Sequence, residues 1–201
     1  MFEKKAHTQA PIIDALALRW SGRAYDPDRT LSREHLIALL EAARWAPSCF
    51  GYQPWRLLLW DRVGNEPAWR RACECLTEGN RAWAAYAPLL MLACADTRFA
   101  DGRPNRWSAY DTGAAVMSLS AQATSLGLMV HQMGGFDADR IRAEFAIPET
   151  FDCLAMITLG YQLPPDRIPL ELQERELAPR SRRELGELFY EDAWSEPVRT
   201  D

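Results

Sequence analysis

What this sequence has little of narrows what it can be. It carries three histidines and five cysteines in 201 residues, and no two cysteines stand in a CxxC spacing. Cys73 and Cys75 are one residue apart with no histidine nearby, and Cys49, Cys94 and Cys153 are isolated. A metal site is therefore not expected, and the thiols read as small buried hydrophobes in a reducing compartment. There is no excess of basic charge: 23 Lys and Arg oppose 28 Asp and Glu, for a formal net charge of −5, so nucleic acid is not an expected partner. No apolar run approaches the roughly 20 residues that span a bilayer, so no membrane association is expected. The longest, residues 84–95, is short and contains Pro88. The opening Met1-Phe2-Glu3-Lys4-Lys5-Ala6-His7 leads into no apolar signal core, which makes a cytoplasmic protein the expectation. No GxGxxG follows a strand pattern, and no Ser-His-Asp or paired-carboxylate arrangement stands out as a catalyst.

What remains is an ordinary globular composition, 48% hydrophobic and 25% charged, with an unusual eight tryptophans. We read residues 1–201 as one domain, with a core over about 11–162 and an extension over about 163–201. Helices are expected over 11–20 (apolar face Ile12, Ile13, Leu16, Ala17) and, capped by Ser32, up to Pro47, burying Leu36, Leu39, Leu40 and Ala43. Another is expected over 67–76. Residues 107–126 read as a core helix with Ala114, Met117, Leu119, Ala121, Ala123 and Leu126 inward. Small residues at Gly113, Ala114, Ala115 and Ala121 would allow close packing, and Gly127 would end the helix. A short helix over 138–145 is capped by Asp137. Strands are expected over 55–60, 87–95 (buried on both faces), 128–133 and 153–161. The class is α+β, with helices flanking one sheet. Residues 164–179 show no clear period. Beyond them Leu185, Leu188, Phe189, Tyr190 and Trp194 would cost about 2 kcal/mol each if left in water, so the tail is expected to embrace a second copy of the chain.

Two stretches carry chemistry. In Arg19-Trp20-Ser21-Gly22-Arg23 two guanidinium groups and a hydroxyl stand at every second residue, so an extended backbone puts them on one face. Such a face suits a phosphate, whose oxygens match the donor fork of arginine. Ala46-Pro47-Ser48-Cys49-Phe50-Gly51-Tyr52-Gln53-Pro54-Trp55 is a turn between a helix and an apolar strand, the kind of place where polar groups rim a pocket. Together they suggest a bound phosphorylated cofactor. The plainer readings are that Arg19 and Arg23 pair with Asp26 and Asp28, that 180–183 is a solvated basic face beside Glu184 and Glu187, and that His131 is a satisfied core histidine.

Arg19-x-Ser21-x-Arg23, Ala46-Pro47-Ser48 with Gln53-Pro54-Trp55, Gly134-Gly135-Phe136-Asp137 and Gly160-Tyr161, in that order along nearly the whole chain, resemble the nitroreductase family of FMN-dependent NAD(P)H oxidoreductases. The resemblance implies a mostly antiparallel central sheet flanked by helices, in a homodimer with FMN at the subunit interface and the C-terminal extension wrapped round the partner. It implies electrons passing from NADH or NADPH through the flavin to a small-molecule acceptor, such as a nitroaromatic or a quinone, by a ping-pong mechanism. Arg19, Ser21 and Arg23 would hold the FMN phosphate and pyrimidine edge, joined at the phosphate by Arg180 and Arg182. Pro47, Ser48, Cys49, Gly51 and Gln53 would line the ribityl chain and ring, from one subunit or the other. Gly134 and Gly135 would present N–H groups near flavin N5. Phe50 and Tyr52 would cover the flavin or pack beside it, and Trp107 and Tyr110 would border the substrate channel. No side chain is expected to be the catalyst, because the flavin carries the chemistry. The chain departs from the family where Gly51 replaces a common asparagine and Cys49 a second serine. That departure keeps open a specialised flavoenzyme of the same fold, a dehydrogenase or reductive dehalogenase, and a non-catalytic flavin-binding protein.

Overall fold

Residues Leu89–Asp96 form a strand that has no polar side to show water, and it becomes the axis of the molecule: all but Asp96 are buried. In the computed structural model, which describes residues 2–199, this strand (β2) lies between β1 (Trp55–Asp61) and β4 (Phe151–Gly160). Strand β3 (Met129–Met133) forms the far edge, so the four antiparallel strands run in the order β1-β2-β4-β3. Alternation along β2 feeds two cores. Leu90, Leu92 and Cys94 meet Trp60, Trp69, Trp83 and Met156 on one face of the sheet. Leu89, Met91 and Ala93 meet Leu39, Ala115, Leu119 and Ile157 on the other. Helices α3 (Glu66–Glu74), α4 (Glu78–Ala84) and α6 (Ala138–Glu144) supply the first core; α2 (Arg33–Arg44) and α5 (Ser108–Ser125) supply the second. This is the expected α+β arrangement, and the expected caps hold: Ser32 accepts the His35 N–H, Asp137 accepts the Arg140 N–H, and Gly127 is left-handed at φ +70°.

Four expectations need correction. The helix expected over 11–20 is a single turn, α1 (Asp14–Ala17). Its last carbonyl, Ala17 O, accepts the Ala6 N–H at 2.8 Å and an Arg180 amino group at 2.7 Å, so it is not free to bond the next turn. Ile12 and Ile13, placed on a buried face, are exposed. Helix α5 has the expected length but a different inner face: Thr112, Ala115, Val116, Leu119, Ser120, Ala123 and Thr124 are buried, whereas Met117 and Gly113 point outward. The period misleads because small hydroxyl residues bury easily when they bond within their own helix, as Ser120 Oγ does to Val116 O at 2.7 Å and Thr124 Oγ1 to Ser120 O at 3.0 Å. Helix α4 was not expected at all; Gly79 and Asn80 in its first turn dilute its pattern. Helix α7 (Leu170–Leu177) lies in the stretch that shows no period, because the residue it turns inward one turn after Leu172 is Glu176, 1% exposed. The five apolar tail residues from Leu185 to Trp194 are all more than one-third exposed in the single chain.

Gly160 ends β4 because two rings press on it. A Cβ there would lie 2.6 Å from Pro88 Cδ and 2.9 Å from Tyr25 Cδ1, and neither ring can swing aside. Gly160→Ala is expected to destabilise the fold by about 1–3 kcal/mol, the usual cost of overpacking. Gly79→Ala, where a Cβ meets nothing within 4 Å on α4, should instead stabilise by up to about 1 kcal/mol. Urea unfolding midpoints of the two variants check both signs.

Candidate functional site

The arm formed by residues 19–24 shows the alternation that its sequence implies. Trp20, Gly22 and Ala24 are buried; Arg19, Ser21 and Arg23 keep access to solvent. The buried side is tight, for a Cβ on Gly22 would overlap Met129 Sδ at 2.2 Å and leave 3.0 Å to Trp20. On the accessible side Arg19 Nη1 donates to Ser21 Oγ at 3.3 Å. Arg180 and Arg182, more than 150 residues later, are close enough that their charges, after burial, pull the Arg19 guanidinium below its ordinary pKa. Arg23 is shifted the same way by burial and then by Arg175. Among the described residues none of these five arginines forms an ion pair, so the plainer reading of pairing with Asp26 and Asp28 does not hold; those acids face Arg167 instead. Two donors at the arm, Arg23 Nε and Trp83 Nε1, are buried without any partner. Crowded like charges and orphaned buried donors are what an anion would resolve.

His131 and Trp83 form the wall behind the arm. The Trp83 ring lies 4.6 Å from the His131 ring and 5.2 Å from the Arg23 guanidinium. His131 Nδ1 lies 3.0 Å from the Gly22 carbonyl, which can only accept, so Nδ1 carries the proton of the neutral ring. Burial, then the charges of Arg23, Arg175 and Arg19, hold the imidazole down to about 4 despite that bond. It is a satisfied histidine, as the plainer reading had it, and it is held at the edge of the arm.

The other cofactor-type stretch is built by strain. Phe50, Gly51 and Gln53 take φ of +54°, +65° and +53°, on either side of a right-handed Tyr52, and these positive values are costly for the two non-glycine residues. The turn is held by the Cys49 N–H donating to buried Asp111 Oδ2 at 3.0 Å and the Gln53 N–H donating to Ser48 Oγ at 3.0 Å. Pro47, Gly51 and Gln53 are exposed, and Phe50 stands 94% exposed. Phe99 makes edge contacts with Phe50 at 6.5 Å and Tyr52 at 5.1 Å, while Tyr52 donates to Arg98 O at 2.8 Å. Trp107 and Tyr110 contact each other at 6.4 Å and are exposed nearby in sequence, at the start of α5.

Gly134 and Gly135 follow β3, the strand that carries His131. The Gly135 carbonyl accepts from the Thr77 N–H, Thr77 Oγ1 and Asn80 Nδ2 at 3.0–3.1 Å, and a Cβ there would meet Asn80 at 2.6 Å. Gly134 faces open space. The structure thus gathers Arg19, Ser21, Arg23, Arg180 and Arg182 at the β3 edge, but the 47–53 turn leads into β1, the opposite edge. Three strand spacings, about 14 Å, separate the two edges. No hydrogen bond, ion pair or ring contact joins the two groups among the described residues. A cavity of about 410 Å³ lined by Arg56, Leu58, Cys94, Phe145 and Phe151 touches neither group. Sequence reasoning missed Trp83, Arg175 and Glu176, since none stands in a motif and all three lie on the two unexpected helices, α4 and α7.

The nitroreductase family model matches residues 16–161. An uncharacterised 15.4 kDa protein in the ask 5′ region of Mycolicibacterium smegmatis is 35% identical over 123 residues, covering 61% of this chain and 82% of its own. An NADH dehydrogenase of Thermus thermophilus is 28% identical over 200 residues, covering 80% of this chain and 95% of its own. A crystal structure described as an oxidoreductase containing FMN superposes with a TM-score of 0.87 at 32% identity, covering 98% of this chain and 99% of that one.

The His131 environment yields a signed expectation. Its folded pKa, about 4, lies below the ordinary 6.5, so the unfolded chain binds the proton more readily. Stability from this group is present above about pH 6.5 and is lost as pH falls towards about 4. His131→Gln, which can still donate to Gly22 O, should flatten that part of the curve of unfolding free energy against pH measured in urea.

Proposed function

The chain belongs to the nitroreductase family, and on that premise we propose that it is an FMN-dependent oxidoreductase that passes electrons from NADH or NADPH to an organic acceptor, by alternate reduction and oxidation of one flavin. The observation that carries the reading is the cluster of Arg19, Arg23, Arg180 and Arg182, unpaired by any acid among the described residues and lined by the orphaned donors of Arg23 and Trp83. A dianionic phosphate fits that donor set. The arm offers one phosphate grip, and the sequence has no dinucleotide motif, which favours FMN over FAD. Relatives named or described as an NADH dehydrogenase and an oxidoreductase containing FMN support the same assignment.

In this reading Arg19, Ser21 and Arg23 bind the phosphate and the pyrimidine edge, with Arg180 and Arg182 completing the charge. Gly134, open on one side, and Gly135, anchored to α4, bring the main chain close to the flat ring near N5. Ser48 and Gln53, on the turn shaped by Pro47, Cys49 and Gly51, belong to the ribityl chain and ring. Phe50, Tyr52, Trp107 and Tyr110 border the acceptor. The bound flavin supplies the redox chemistry; the protein's share is to bind it, orient it and exclude water.

One copy holds its two cofactor groups on opposite sheet edges, so the reading calls for a homodimer in which each site combines the arm of one copy with the turn of the other. The outward face of α5 at Gly113 and Met117, the exposed Ile12, Ile13 and Leu16, and the apolar tail from Leu185 to Trp194 are the surfaces that a second copy would cover. Five free cysteines fit the reducing cytoplasm.

The direct test is cofactor release and turnover. The purified protein is expected to be yellow, to release FMN on heating as identified by mass spectrometry, and to lose its colour when NADPH or NADH is added without oxygen. FAD alone, or no flavin, contradicts the reading, and a flavin that stays oxidised points to non-catalytic flavin binding.

Each charge-assisted bond to the phosphate is worth about 1.5–3 kcal/mol. At about 1.4 kcal/mol per decade, Arg19→Ala should weaken FMN binding roughly ten- to a hundredfold, read by quenching of flavin fluorescence. Arg23→Lys should cost less than Arg23→Ala yet remain measurable, because lysine keeps the charge and loses the fork.

Removing residues 179–201 takes away both Arg180 and the apolar tail. The truncated protein is expected to aggregate or to lose its flavin. A soluble, flavin-loaded monomer in sedimentation analysis is the outcome that would reject the dimer.

A further inference from the structure

The arm is held from behind by the tail. Glu176, on α7, is 1% exposed, and a carboxylate so buried is costly unless its oxygens are bonded. Its Oε1 accepts the Arg23 main-chain N–H at 2.7 Å, across 153 positions of sequence. The Arg23 N–H is the one arm amide bonded to the carboxylate among the described residues; the Ala24 N–H adds only a pull on the carboxyl. Among the described residues Oε2 has no partner, and it stands 3.1 Å from where a Cβ on Gly22 would begin. Burial pushes the Glu176 carboxyl up, against the pull of the two N–H groups and of the Lys4 and Arg23 charges. Across the arm, His131 holds the Gly22 carbonyl. Arg180, four residues further along the tail and beyond the end of α7, donates to Lys4 O at 2.6 Å and to Ala17 O at 2.7 Å. The tail therefore fixes the chain at residue 17 and again at residue 23, and the stretch between these points carries Arg19 and Ser21.

We propose that Glu176 is a positioning residue for phosphate recognition: by accepting the Arg23 main-chain N–H, it sets the backbone direction that projects Arg19, Ser21 and Arg23 to one side. The inference rests on the reading of that arm as the FMN phosphate site. What the arm uses is the reach of the acceptor oxygen rather than its charge. The bonded group is a neutral amide whose place decides where the arm's side chains begin, and hydrogen bonds to a phosphate weaken steeply when their donors shift by an ångström. The full charge at this position is costly in so buried a site, and one oxygen goes unbonded.

Two variants separate reach from charge. Glu176→Gln keeps the length and one acceptor oxygen and removes the charge. Glu176→Asp keeps the charge and withdraws the oxygens by one methylene, about 1.5 Å. The measurement is the ratio of dissociation constants for riboflavin, which lacks the phosphate, and FMN, on full-length protein freed of flavin. A general loss of stability weakens both ligands and leaves the ratio unchanged; a displaced arm lowers it. The preference for FMN is expected to stay within about twofold of the parent in Glu176→Gln and to fall at least about fivefold in Glu176→Asp. A fall in Glu176→Gln with Glu176→Asp at the parent's level would make Glu176 a counter-ion and overturn the proposal. An equal fall in both variants, or none in either, would also overturn it. If Glu176→Asp does not fold, Glu176→Gln alone decides, upholding the role at the parent's preference and rejecting it on a fall. Arg19→Ala, measured alongside, reports on the underlying reading: an unchanged ratio there rejects the phosphate site itself. A lowered ratio there with none in Glu176→Asp rejects only the part assigned to Glu176.

Discussion

Guanidinium groups crowded at one sheet edge without a paired acid repel one another, and a folded chain keeps them there only if something else fixes their backbone. In this protein that constraint organises the whole β3 side of the molecule. Arg19, Arg23, Arg180 and Arg182 come from the two ends of the chain, and their convergence depends on main-chain bonds rather than on side-chain pairing. The arm is pinned through the Arg23 amide to Glu176 on one side and the Gly22 carbonyl to His131 on the other, and among the described residues its arginines stay out of ion pairs. Such an arrangement is preorganised for an anion, because no internal ion pair has to break when one binds.

The same device recurs at the opposite edge. Asp111, buried in α5, accepts the Cys49 N–H, and the strained run of Phe50, Gly51 and Gln53 follows directly. In both places a buried carboxylate on a helix holds the main chain of a candidate segment and, among the described residues, takes no part in an ion pair. The strain at Phe50 and Gln53, of the order of 1–3 kcal/mol for each such residue, persists because the scaffold over-determines the turn. Helix α5 is set by the burial around β2, and α7 packs through Leu172 beside Ala24, Leu163 and Ile168, so each carboxylate is held by a packed helix.

The legible parts of the fold were those whose side chains obey one period. The strand around Leu90 and Leu92 was visible because every residue in it is apolar, and α2 because Ser32 and its leucines agree on start and face. The failures have physical causes. Helix α7 was hidden because the position that should have been its apolar anchor is Glu176, buried for what it bonds. The inner face of α5 was misjudged because Ser120 and Thr124 satisfy their hydroxyls within the helix. The turn at Ala17 was overextended because its carbonyl is claimed by Arg180, a partner that no local pattern reveals.

The sequence by itself determined the α+β class, the family, and the alternating burial of the arm, since these rest on local alternation, turn chemistry and the order of short motifs. Burial along 19–24 follows that alternation residue by residue. Only the tertiary structure decided that Arg180 and Arg182 join Arg19, that Trp83, His131 and Glu176 stand behind the arm, and that the 47–53 turn lies on the other edge of the sheet. These are contacts between residues far apart in sequence. The strand order β1-β2-β4-β3, which no local propensity encodes, sends the two halves of the site to opposite edges.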